Sequence, residues 1–311
     1  MNEPQGNRDK ALERALASVV GVHTFVPGDA LTADVLGTER LGSGVVIRDD
    51  GLLVTIGYLV TEAERVWISF PDGHVAAGDV VGIDQTSGLA LVRILERAVH
   101  SFVPIGSAKQ VRLGGSVVMA SGDGTMVSAR LLAKQEFTGY WEYRLEEALI
   151  TAPAHGQWGG AALLSPDGRL IGIGSLHIPG AVVAGETTEL NMSVPIDLLV
   201  PVQDELLRFG RTQAPARPWL GVYAHQVDER LAVGSVVRQG PASSAGVRRG
   251  DIIVAVGRTN VRDLSGFYEA VWRLGTAGVD VPLVIERNGK VVDLVVQSGD
   301  RRMFLKQPTL H

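Results

Sequence analysis

A chain of 311 residues, 45% of them hydrophobic, has enough apolar mass for two ordinary cores, and its 38 glycines and 14 prolines point to frequent turns in a β-rich protein. Lys and Arg number 29 against 34 Asp and Glu, a net charge of −5, which leaves no basic footprint for a nucleic acid. Cysteine is absent, which excludes disulfides, thiolate metal sites and a cysteine nucleophile.

Residues 1–20 are polar, then amphipathic, without the apolar core of a signal peptide, and no run of 18 apolar residues occurs. The sequence as written therefore reads as cytoplasmic without a membrane span, or as periplasmic if a longer precursor was trimmed. Charge is uneven. From Pro218 onward there are 12 basic and 9 acidic residues, leaving 17 and 25 before it, so a mildly basic C-terminal module follows an acidic body.

Asn7 to Ala17 carries Ala11, Leu12, Ala15 and Leu16 at helical spacing. Ser18 to Phe25 switches to strand character, and residues 26–40 read as a loop. Leu41 to Ile47, the turn Asp49-Asp50-Gly51 and Leu52 to Thr55 form a strand–turn–strand unit. Val66 to Phe70, Pro71-Asp72-Gly73 and Val75 to Ile83 repeat that grammar, and Leu89 to Leu95 adds a strand. Short strands at close spacing predict antiparallel barrels rather than an α/β sheet. The stretch Pro153-Ala154-His155-Gly156-Gln157-Trp158-Gly159-Gly160-Ala161-Ala162-Leu163-Leu164 is a glycine-rich bend entering a strand. Asp197 to Phe209 reads as a helix stopped at Gly210. The polar, proline-bearing run Arg211 to Arg217 reads as a linker, and Arg301 to His311 as a polar tail.

Several of these segments resemble HtrA-type, trypsin-like serine proteases. Gly42 to Val60 is similar to the family run G-S-G-[VF]-[IV]-[IL] through T-N-x-H-V-V. Val81 to Ile94 resembles V-[GV]-x-D through D-L-A-[VL]-[LV], and Ser193-Val194-Pro195-Ile196-Asp197 resembles the segment closing the second barrel. After the linker, Trp219-Leu220-Gly221-Val222, Gly240 to Val247, Arg249 to Val256 and a helix around Leu264–Leu274 follow the order of the family's PDZ domain. The resemblance spans roughly residues 8–300. It implies a mainly β protein: a trypsin-like double antiparallel β-barrel over 1–210, a linker over 211–217, a PDZ domain over 218–300 and a tail over 301–311.

Serine protease chemistry needs a hydroxyl, a histidine base within hydrogen-bond reach, a carboxylate orienting that base and amides receiving the oxyanion. The resemblance places Tyr58 at the base position, Gly88 at the carboxylate position and Trp158 at the nucleophile position. A phenol titrates near pH 10 and is a poor base, glycine has no side chain, and an indole offers only an N–H donor. A register slip does not rescue the triad: no serine lies between Ser128 and Ser165, and no histidine between His23 and His74. Gly156 and Gly159 are remnants of the oxyanion loop and are expected to serve only the bend. Trp158 is expected to be substantially buried beside Tyr58, filling a dead cleft. The scattered histidines show no metal-ligand spacing, and neither metal nor cofactor is expected. Glu146 and Glu147, beside the aromatic cluster Tyr140-Trp141-Tyr143, are expected to be solvated.

The PDZ resemblance implies that a peptide adds as a strand and that its terminal carboxylate enters a nest of amides. Trp219, Leu220, Gly221 and Val222 form the matching loop, with Phe267 and Val271 on the following helix. The function these residues imply is a non-catalytic peptide-binding pseudoprotease of the kind used in protein quality control. Its expected partners are peptide or protein C-termini, an active HtrA relative, or further copies of itself, the family commonly forming trimers. The alternatives are a serine endopeptidase with residual or rerouted activity and a structural oligomer subunit.

Overall fold

The computed structural model describes residues 5–96, 98, 100–183 and 185–306. It divides into two compact units. One comprises Leu145–Gln213 and the chain before Phe137, and the other comprises Phe137–Arg144 and Ala214–Lys306.

The first unit opens with α1 (Gln5–Leu16). Strands β1 (Val19–Phe25), β2 (Glu39–Val46), β3 (Leu52–Ile56), β4 (Arg65–Ser69), β5 (Val75–Ile83) and β6 (Leu89–Ile94) close into a barrel in the order β1-β2-β3-β6-β5-β4. β1 is the hub: Val22 faces Gly42 on one side and Ile68 on the other. Its burial alternates along the strand, which is the period of a sheet with one face inward. Leu53, Val54, Ile68 and Leu91 are fully enclosed. Residues 26–40, expected to be a loop, contain the single-turn helix α2 (Ala33–Leu36), and β2 starts at Glu39.

A second barrel follows from β7 (Ser116–Ala120), β8 (Met126–Gly139), β9 (Tyr143–Ala152), β10 (Ala162–Leu164), β11 (Leu170–Val183) and β12 (Glu186–Pro195), closed in the order β10-β11-β12-β9-β8-β7. Its core gathers Met119, Leu131, Leu149, Leu163 and Ile171. The expected helix from Asp197 is shorter. A 3-10 turn covers Ile196–Leu198, and the α-helix, labelled below, begins only at Gln203, because Pro201 lacks an amide donor and disfavours helical geometry before it. That helix ends where expected, with Gly210 left-handed at φ 69 and its N–H bonded to Leu206 O.

The second unit is a sheet of β13 (Val222–Val227), β14 (Arg230–Val236), β15 (Ile252–Val256), β16 (Thr259–Asn260), β17 (Asp280–Arg287) and β18 (Lys290–Gln297). The order is β13-β14-β15-β17-β18, with β16 paired to β15. The helices after α2, in chain order, are α3 (Gly57–Val60), α4 (Gln203–Phe209), α5 (Pro241–Ser244) and α6 (Leu264–Trp272). Asp263 caps α6 by accepting from Gly266 N. Leu231, Ile253, Phe267, Leu283 and Ile285 fill the core between sheet and helix. Among the described residues, no helix is long and apolar enough to cross a membrane. The architecture is mainly β, with two six-stranded barrels preceding the smaller sheet.

Candidate functional site

β3 ends at Ile56 and passes directly into α3, the turn that carries Tyr58. The turn's carbonyls are all claimed. Arg40 Nη1 donates to Tyr58 O at 2.7 Å and Thr61 O at 2.9 Å, Thr24 Oγ1 donates to Leu59 O at 2.6 Å, and Thr61 Oγ1 donates to Gly57 O at 2.8 Å. The half-buried Tyr58 phenol donates to Ser175 O at 3.0 Å. Burial pushes its pKa up well above the usual tyrosine value, while the neighbouring Trp158 side chain pulls the other way. The phenol therefore stays neutral at ordinary pH and already spends its proton on a carbonyl.

Gly88 stands next to this turn. It is left-handed at φ 76, and its carbonyl accepts from Gly57 N at 2.6 Å. The loop before it is an Asp84-centred turn, Asp84 accepting from Thr86 N at 3.1 Å and Ser87 N at 3.0 Å. The bend that carries Trp158 is anchored on both barrels. Gly159 O accepts from Ser43 N at 2.8 Å, Gly160 N donates to Gly174 O at 2.9 Å, and Ala161 N donates to Trp158 O at 3.1 Å. Gly160 is required: it sits at φ 75, and a Cβ there would collide with the Ser43 carbonyl. A Cβ on Gly159 would lie 2.9 Å from the Tyr58 hydroxyl. Gly156 is exposed.

Trp158 is largely withdrawn from solvent, as expected. One face stacks on His177, with ring centroids 5.2 Å apart and planes 24° apart, and the indole packs against the second barrel's core. It is not fully enclosed, since the stacking partner is an imidazole near the surface, hydrogen-bonded to the exposed Glu189 at 3.2 Å. Residues 58, 88 and 158 nonetheless lie together: Gly159, next to Trp158, closes on the Tyr58 hydroxyl, and the Gly88 carbonyl bonds the residue before Tyr58.

His155 is buried beside this bend. Its ring Nδ1 accepts from Gln157 N at 2.9 Å, which places the ring proton on Nε2, facing Thr125 Oγ1 at 3.1 Å and Ser121 Oγ at 3.4 Å. A protonated Nε2 cannot take a proton from either hydroxyl, so Ser121, Asp123 and His155 do not form a substitute triad. Hydrogen bonds from Ser121 and Thr125 hold the Asp123 carboxyl down at about 2. The cluster fixes the bend, together with His155 N donating to Asn191 Oδ1 at 2.6 Å. Among the described residues, no group of three or more His, Asp or Glu could hold a metal ion.

In the second unit, the loop at Trp219–Val222 offers backbone, not side chains. Trp219 turns inward against Phe304 at 4.8 Å, while Leu220, Val222, Phe267 and Val271 lie in the core. The amides of Leu220, Gly221 and Val222 converge, at 3.0, 2.6 and 3.0 Å, on the carboxylate of Glu142. Sequence reasoning missed Glu142, which lies within the aromatic cluster 140–143 and reaches partners 78 to 80 positions away. Nothing in a linear pattern marks such a contact. Glu146 and Glu147 are exposed, as expected.

A trypsin-like peptidase domain model matches residues 42–173 and a PDZ domain model matches residues 218–297. The chain is 28% identical over 306 residues to serine endoprotease DegS of Haemophilus influenzae, covering 89% of this chain and 86% of that relative. It is 26% identical over 275 residues to a probable periplasmic DegP-like serine endoprotease of Chlamydia muridarum, covering 82% of this chain but only 53% of that relative. The chain thus spans about half the length of the DegP-like relatives it matches. The crystal structure of the serine endoprotease from Yersinia pestis shares the fold, with TM-score 0.55 and 24% identity over 96% of this chain and 99% of that one. The HtrA-type protease AlgW with tripeptide gives TM-score 0.54 and 22% identity over 99% of both chains. A trypsin-like peptidase domain followed by a PDZ domain, with DegS-like relatives matching across both, supports an HtrA-type protease.

Proposed function

We propose that this chain is a non-catalytic HtrA-type protein, a pseudoprotease, which binds peptide or protein C-termini through its PDZ domain. The observation that carries the reading is Trp158 at the nucleophile position, stacked on His177, with the Tyr58 phenol donating to Ser175 O, where a serine and its base would stand. Neither side chain can act as nucleophile or general base at neutral pH, and Gly88 cannot orient a base. Loss of even one triad member lowers turnover by about 10⁴–10⁶. We take residues 1–210 as the protease-fold domain, 211–217 as linker and 218–300 as the PDZ domain. Trp219, Leu220, Gly221, Val222, Phe267 and Val271 build the carboxylate loop and the core beneath the groove. Partners of the whole protein are an active HtrA relative or further copies of itself, the two being separated by light scattering of the chain alone and mixed with a relative.

A second reading, a serine endopeptidase with residual activity, is favoured by the relatives' names, which are those of endoproteases. A fluorophosphonate probe and casein cleavage decide between them. The first reading expects neither labelling nor cleavage. Labelling at a serine, abolished by substituting that serine, establishes the second.

A further inference from the structure

The carboxylate loop is filled by the chain itself. Glu142 lies in the turn between β8 and β9, and that turn belongs to the same compact unit as the PDZ sheet. Its carboxylate meets the Leu220, Gly221 and Val222 amides, the donors that a peptide's C-terminal carboxylate would need. The rest of the turn runs between the sheet's first strand and α6. The Tyr140 ring lies 6.1 Å from the Tyr223 ring and 5.1 Å from the His225 ring, both on β13. On the helix side, Tyr268 OH donates to Gly139 O at 3.0 Å and accepts from Glu142 N at 3.1 Å, and Arg144 pairs with Glu269 at 3.0 Å.

A second observation is independent of these contacts. Glu142 is a non-glycine residue held in the left-handed region, at φ 59. A glutamate gains nothing locally from that conformation, so the surrounding contacts must hold it. Here the conformation turns both its amide and its carboxylate toward the groove. The loop does more for Glu142 than Glu142 does for the turn.

We propose that the turn Gly139–Arg144 is an in-chain ligand of the PDZ groove, with the Glu142 carboxylate in the place of a peptide's C-terminal carboxylate, so that an incoming peptide binds only by displacing it. The proposal rests on the reading of this groove as a site for peptide C-termini. Two carboxylates cannot share these three donors, since each amide has one hydrogen and the like charges repel. A tethered ligand competes at an effective concentration on the order of millimolar. The groove is therefore self-occupied at rest, and its apparent affinity for a free peptide is lowered by the closed fraction.

The test uses the full chain and its Glu142→Ala and Glu142→Gln variants, each checked for native circular dichroism. Hydrogen exchange at the Leu220–Val222 amides reports the closure without any peptide. It is expected to quicken at least about tenfold in Glu142→Ala, and unchanged exchange overturns the proposal. Binding is read by fluorescence polarisation with a fluorescein-labelled decapeptide ending in valine, as free acid and as amide. The free acid is expected to bind Glu142→Ala at least about tenfold more tightly than the parent, with Glu142→Gln in between and the amide weak throughout. Equal affinity of parent and variants for the free acid overturns displacement. If exchange quickens but no protein binds the free acid, the groove is not a reader of peptide C-termini, while the lodged carboxylate stands.

Discussion

Tyr58 illustrates how one residue can keep a site's framework while removing its chemistry. Its phenol reaches across to Ser175 O at 3.0 Å, a bond that a histidine ring in the same turn would not make with the same reach. Tyr58→Phe removes one buried neutral hydrogen bond and leaves a carbonyl unpaired, so it is expected to cost about 1–2 kcal/mol in urea unfolding. A variant as stable as the parent would show that the bond is idle. Glu142 carries a pH signature. Burial pushes its carboxyl up from 4.5 to about 7, against the pull of the Leu220, Val222 and Gly221 amides and of Arg301. The neighbouring Tyr268 phenol is pushed above its ordinary value by its own burial, and the Arg144–Glu269 pair flanks the turn. A carboxyl with a raised folded pKa binds its proton more tightly in the folded state than in the unfolded one. Its contribution to stability is therefore full below about 4.5 and is lost as pH rises through about 7. Unfolding free energy is expected to fall between pH 5 and 8 in the parent more than in Glu142→Gln, and identical slopes would remove Glu142 from the account.

At the scale of elements, the site is two short turns clamped by distant side chains. Arg40 on β2 donates to Gly37 O, Tyr58 O, Thr61 O and Thr32 Oγ1, so it holds α3 in place from below. Arg40→Met is expected to cost about 3 kcal/mol, since the acceptors remain buried and unpaired. Thermal unfolding checks this, and a change below about 1 kcal/mol would show that water replaces the guanidinium. The same contrast explains what the sequence made legible. Segments such as Gly42–Val60 and Val81–Ile94 carry strand alternation and turn residues at fixed offsets, so antiparallel barrels could be read from them, while the convergence of positions 58, 88 and 158 came only with the resemblance to HtrA-type proteases. The break at Pro201 was written in the chain but outweighed by the helical pattern around it. The ring that stacks on Trp158 was not legible, because His177 comes from another strand. The Glu142 contact was invisible for a stronger reason. It pairs a side chain with backbone amides, and every residue has a backbone amide except proline.

For the whole molecule, the question is whether the two barrels hold the geometry a triad would need at positions 58, 88 and 158. The three positions come from separate segments: the α3 turn, the bend before β6 and the bend before β10. They stay together through the close approach of Gly159 to the Tyr58 hydroxyl and the Gly57–Gly88 backbone bond at 2.6 Å. The bend around position 158 is still tied to Ser43, Gly174 and Asn191. The triple substitution Tyr58→His, Gly88→Asp and Trp158→Ser is therefore expected to restore fluorophosphonate labelling. Each single substitution is expected to stay unlabelled, because triad members act as a unit. Two costs work against the triple variant. Removing the Trp158 indole opens space beneath His177, worth about 3 kcal/mol for a half-buried ring. An aspartate at position 88 must take up φ 76, which Asp tolerates better than most residues but not freely. Labelling of the triple variant, lost again when Tyr58→His is omitted, would show that only side chains have been lost. A folded triple variant without labelling would show that the backbone at Gly88 has also moved away from catalytic geometry.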